Sequence, residues 1–175
     1  MINIEAPLCS LQDRLDKDLS WRKKEISNLF LHIETQVGEL RIALIRGSIT
    51  LLYAHWEGFI KNASVSYLQC IRDLNLTLNC LKDNFWHISL GQKFSSQQIS
   101  FRSYSHQKQV FEYIQRELKD EQLLVAPKYV IDTKSNLKFE VFQTIAKQIG
   151  VDISWYETKK NFINTRLLKL RNAIA

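Results

Sequence analysis

The sequence predicts an all-α helical bundle with a long central helix and a mid-chain loop region. Two observations carry that expectation. Only five Gly and two Pro occur in 175 residues, which leaves room for long unbroken elements. Apolar residues also recur at three- and four-residue steps over much of the chain, the period of an amphipathic helix. A composition of 45% hydrophobic and 24% charged residues suits a globular protein with a substantial core, and the length favours a single domain over residues 1–175.

The elements follow in order. Leu11, Leu15, Leu19, Ile26, Leu29, Phe30, Ile33 and Val37 share one helical face, with Asp13, Arg14, Lys17, Lys23 and Lys24 on the wet side. Gly38 bends or interrupts that helix. The run from Glu39 to about Leu74 is apolar all round and reads as the central helix, packed by neighbours on several sides. Gly47 and Gly58 within it each cost roughly 1 kcal/mol relative to Ala, so another helix is expected close by. Leu81 to Leu90 forms a short helix, and the serine-rich stretch 91–105 a loop. Gln107 to Leu118 is helical again. Residues 123–136 contain Pro127 and a β-branched run and read as extended chain, with one edge strand at most. Ser135 or Asn136 caps a helix from Leu137 to Ile149, which Gly150 ends. The last helix starts at Ser154 or Thr158. It runs open to Ala175 through Leu167, Leu170 and Ile174, with no terminal Gly, Pro or Asn.

Function classes narrow by composition. No apolar stretch reaches the roughly 18 residues needed to cross a bilayer, so no membrane association is expected. The N-terminus lacks a secretion signal, and Cys9, Cys70 and Cys80 read as reduced thiols without metal spacing, which together suggest a cytoplasmic protein. The net charge of +6 permits an anionic partner such as nucleic acid without demanding one, because the basic residues are dispersed. His32, His55, His87 and His106 form no paired metal spacing, and neither a glycine-rich phosphate loop nor a Gly-x-Ser-x-Gly elbow occurs. No cofactor is expected.

"YAHWEGFIKN", residues 53–62, is richer in polar groups than a core helix needs. Tyr53, Trp56 and Ile60 read as core anchors. His55, Glu57 and Lys61 bring charge into the most apolar helix, with Glu57 and Lys61 one turn apart as an ion pair.

Three segments, "LLYAHWEGFIKNASVSYL" (51–68), "SNLKFEVFQTIAKQIGVD" (135–152) and "LLKLRNAIA" (167–175), resemble in that order the HEPN superfamily, in its bacterial stand-alone toxin or defence branch. The resemblance spans the chain from about Arg41 onward. It implies an HEPN-like helical bundle and a metal-independent RNase acting as a homodimer. The family signature is an Arg, commonly followed by Asn, then three variable residues and a His. Arg171-Asn172-Ala173-Ile174-Ala175 supplies all of it but the His, so the resemblance implies a chain that stops one residue short of that catalytic group. Arg171 and Asn172 are the implied catalytic residues, and His55, Glu57 and Lys61 are auxiliary candidates for lining the same cleft.

The chemistry suits these residue types. Attack by a ribose 2′-OH needs a proton acceptor, a proton donor for the leaving 5′ oxygen and a cation for the developing charge. His titrates near neutrality, and Arg grips two phosphate oxygens at once. A signature on one helix is sparse; two facing copies in a homodimer would make a composite cleft. The expected partners are RNA, a second copy and a cognate antitoxin or defence protein. The rival reading is a non-catalytic helical module that binds a protein or RNA. A DNA-binding regulator, without a helix-turn-helix signature, ranks third.

Overall fold

The computed structural model describes residues 4–96, 102–123, 130–134 and 136–174. Among these the chain is helical throughout its ordered elements, with one isolated antiparallel bridge between Thr77 and Gln122. Helices α1 (Glu5–Glu34) and α2 (Gly38–Asp73) form a long antiparallel hairpin. Gly38 breaks the run by taking a left-handed φ of +62°, which starts α2 in a new direction. α3 (Asp83–Ser96), α4 (Tyr104–Arg116) and α5 (Phe139–Ile149) then build the body. The chain ends in a 3₁₀ turn (Ser154–Lys159), a π-helical segment (Phe162–Leu168) and α6 (Lys169–Ile174).

The core lies at the C-terminal half of α2. Leu68 of α2, Leu78, Leu118, Leu137 and Phe139 are almost wholly sealed from solvent and join Phe85, Phe142 and Ile145 in one cluster. Here α2 is central, as its pattern suggested. Its N-terminal half is not: no residue from Gly38 to Leu52 is buried, and α1 is the neighbour α2 meets most extensively. Phe30 and Val37, expected on the packed face of α1, are exposed for the same reason: one neighbouring helix covers only one strip of surface. The expected close approach at the α2 glycines is met at Gly58, where an added Cβ would lie 2.9 Å from the Arg22 guanidinium. Gly47 faces open space.

Several local expectations shift. Residues 91–96 continue α3 instead of forming a loop, with the Ser95 and Ser96 hydroxyls bonded back to the Gly91 and Lys93 carbonyls. Residues 97–101 and 124–129 lie outside the described set, as does Ser135. Asn136 does not cap α5, which starts two residues beyond Leu137. The first N–H of α5, at Phe139, is accepted instead by Asn164 Oδ1 at 2.8 Å, reaching across from the π segment. Gly150 does end α5, at φ +73°, with Val151 N–H on the Ala146 carbonyl and Gly150 N–H on Lys147, a Schellman pair. Neither Ser154 nor Thr158 provides the cap for the last helix through its own hydroxyl. Asp152 Oδ1 accepts the Ser154 N–H at 2.9 Å, and the first turns are 3₁₀.

Candidate functional site

α6 carries Arg171 back over the middle of α2. Its guanidinium carbon sits 4.1 Å from the centre of the Tyr53 ring, a cation–π contact, and its Nη2 donates to Asn136 Oδ1 at 3.0 Å. Arg171 is half-buried, while Asn172 and Ala173 beside it face solvent. The guanidinium is thus mounted on two protein groups at a helix end next to an exposed amide.

The chain before α5 is laid over the same face of α2 and fastened there. Leu137 N–H donates to the Tyr53 hydroxyl at 2.6 Å, and Trp56 Nε1 donates to the Leu137 carbonyl at 3.4 Å. Thr133 Oγ1 donates to Glu57 Oε1 at 2.6 Å. Tyr53 and Glu57 are one turn apart and share a face. Burial pushes the Tyr53 hydroxyl above its ordinary pKa of 10.0, and the Glu57 charge adds to it, outweighing the Leu137 N–H and Arg171, which act the other way. Tyr53 is therefore a neutral phenol near neutrality, serving as an acceptor for backbone and a platform for a cation.

Of the auxiliary candidates, Glu57 lies beside this cluster, and its pairing is with Thr133; the anticipated Glu57–Lys61 ion pair does not form. Lys61 is exposed one turn further along. His55 is turned away, because two residues along a helix is about 200° of rotation. It is buried against α1, with Nε2 2.8 Å from a Glu25 carboxylate oxygen and Nδ1 3.3 Å from Arg22 Nη1. Arg22 also pairs with Asp18 at 3.1 Å and bonds the His55 carbonyl at 3.3 Å. That network clasps α1 to α2. The cleft imagined around His55, Glu57 and Lys61 is thus two separate places.

The sequence did not single out Tyr53 or Asn136 for this site. A tyrosine at helical spacing reads as a core anchor, and an asparagine before a helix as a cap. Their convergence depends on a segment that crosses α2 from about 80 residues away in sequence (Tyr53 to Leu137 spans 84). The π segment also contributes. Its wider winding adds a residue relative to an α-helix, which resets the rotational register between Asn164, bound to α5, and Arg171, bound to Tyr53. No group of three His, Cys, Asp or Glu side chains converges among the described residues in a way that would hold a metal ion.

The family model described as RiboL-PSP-HEPN matches residues 17–175, which takes in the hairpin, the body and the Arg171–Asn172 helix. The chain belongs to the HEPN superfamily. Membership carries an all-α fold, as observed, and points to a ribonuclease-type or other RNA-related role. No curated protein and no solved structure matches this HEPN chain. No helix among its described residues is long and apolar enough to cross a membrane.

Proposed function

We propose that this HEPN chain is the body of a metal-independent endoribonuclease with a composite site, in which two copies bring Arg171 and Asn172 onto one RNA strand. The mounting of Arg171 carries the reading. A guanidinium held against the Tyr53 ring and bonded to Asn136 is fixed in position at a helix end, so that bringing its charge to a phosphate costs little further ordering. Asn172, exposed on the next position, adds an amide for a ribose or phosphate group. The proton-transfer histidine of the signature would stand directly after Ala175, on the same helical face as Asn172. Without such a group, cleavage falls by about 10²–10⁴ while RNA binding persists. A toxin or phage-defence setting in the cytoplasm, with a cognate protein restraining the enzyme, completes the reading.

The test compares the 175-residue chain with the same chain extended by one His, on RNA in the presence of EDTA. The extended chain cleaves and leaves 2′,3′-cyclic phosphate ends, and Arg171→Ala abolishes this. Cleavage that needs added metal, or none from the extended chain, would refute it. One observation favours the rival reading of a non-catalytic module: Arg171 already satisfies Asn136 and Tyr53 within its own subunit, as a structural arginine does.

A further inference from the structure

The α1–α2 hairpin and the terminal elements enclose an open cleft of ≈ 400 Å³. α1 supplies Ile26, α2 supplies Trp56 and Phe59, and the 3₁₀ turn and π segment supply Tyr156, Phe162 and Leu167. Its inner surface is apolar throughout. Arg22 and His55 also border it, but both are buried, and their polar atoms face Asp18, Glu25 and each other. Lys23, from the α1 wall, and Lys159, from the terminal wall, contribute their stems to the lining and are themselves exposed. Among the described residues no ion pair engages either lysine, and no acidic side chain lines the cleft.

We infer that this cleft binds a small amphipathic anion, a carboxylate on a medium-length acyl chain. The lining selects the body of the ligand. A sugar or a nucleobase would bury hydrogen-bonding edges against a surface that offers them no partner, whereas an acyl chain gains from the same burial. The mouth selects the head group. Lys23 and Lys159 come from different walls with no acid lining the cleft between them, which favours an anion there over an alcohol and disfavours an amine. The volume lies in the range of small-ligand pockets, and half-buried aromatics with a few charges at the edge are the usual composition of such sites. A chain seated there touches the hairpin and the terminal elements together and ties one to the other. The acyl site goes beyond the ribonuclease reading and does not rest on it.

The probe is decanoate, titrated below its micelle concentration into the 175-residue chain by calorimetry, with circular dichroism to check helicity. One saturable site per chain is expected. Affinity rises about fourfold per methylene from hexanoate through octanoate to decanoate, the increment for burying one CH₂. Decanol binds about three- to tenfold more weakly, and decylamine more weakly still. Phe162→Asp, at a half-exposed position on the cleft wall, keeps its helicity and weakens decanoate binding about tenfold or more. Leu40→Asp, on the exposed stretch of the hairpin outside the cleft, leaves it unchanged. Lys23→Ala with Lys159→Ala removes the preference for decanoate over decanol while decanol binding stays the same. No saturable binding, no dependence on chain length, equal affinity for decanoate and decanol in the unaltered chain, or decanoate binding indifferent to Phe162→Asp would each overturn the inference. So would an acidic amphipathic peptide held by a cleft that ignores decanoate, a result that assigns the cleft to a protein partner.

Discussion

The two halves of the α1–α2 hairpin are the same pair of helices in two different environments. From about Tyr53 to Cys70, α2 is met by the segment before α5, by α5 itself and by the terminal helix, and Tyr53, His55, Ser64, Leu68 and Cys70 are buried. From Gly38 to Leu52 no side chain is buried, and residues just as apolar stay in contact with water. Hydrophobic patterning thus states what a helix can bury, whereas the number of neighbours decides what it does bury. The packed half is where Arg171 is fixed.

Truncation separates the halves most strongly. Leu68→Ala empties a site with no solvent exposure and should cost about 2–5 kcal/mol, whereas Phe30→Ala, at 59% exposure, should cost less than about 0.5 kcal/mol in the monomer. Urea unfolding midpoints check both. Equal losses at low concentration would break the distinction.

The two left-handed glycines make a second pair. Gly38→Ala, at φ +62° in open space, carries only the backbone strain of about 1–2 kcal/mol. Gly150→Ala, at φ +73°, carries that strain and also places a Cβ 2.8 Å from Asn84 Oδ1, which must shift and strain its bond to the Gln148 carbonyl. Thermal unfolding should rank Gly150→Ala as the more harmful. Tyr53→Phe, which leaves the Leu137 N–H without its acceptor, is expected to cost about 1–3 kcal/mol, and it should weaken RNA binding slightly, because Arg171 keeps the ring face but loses the hydroxyl it bonds.

The smallest effect concerns acid. Glu140 is held below its ordinary pKa of 4.5, first by a hydrogen bond from its own backbone and then by Lys160 and Asn164. Its folded pKa is depressed, so between the two values the unfolded chain binds more protons. The stabilisation is present above 4.5 and drains away as pH falls below it toward the folded value. Glu140→Gln should flatten the acid limb of a stability–pH curve slightly, since the group is exposed and screened.

Much of this was legible beforehand. The helical steps from Leu11 to Val37 and the apolar run after Glu39 correspond to α1 and α2, and Gly150 ends α5 as its position suggested. The segments around residues 51, 135 and 167 carried the family. What escaped was set by contacts distant in sequence. Asn164, which serves the first N–H of α5, comes from a later helix. Asn136, with the features of a cap, is taken up by Arg171. The π winding leaves no period in the sequence by which to know it. The separation of His55 from Glu57, by contrast, could have been read from their spacing, because side chains two apart on a helix leave on nearly opposite sides. The bare half of the hairpin escaped because α2's composition is even along its length, while its neighbours are not.

The central claim is that Arg171, seated on Tyr53 and Asn136, presents its charge to an RNA phosphate. Binding of a single-stranded RNA to the 175-residue chain, measured across a range of salt, tests it most directly. Arg171→Ala should weaken binding and make the slope of log affinity against log salt shallower by about 0.7 per subunit, the value for one lost single-strand phosphate contact. An unchanged affinity and slope in a folded Arg171→Ala protein would contradict it and leave the arginine as a strut between α6 and α2.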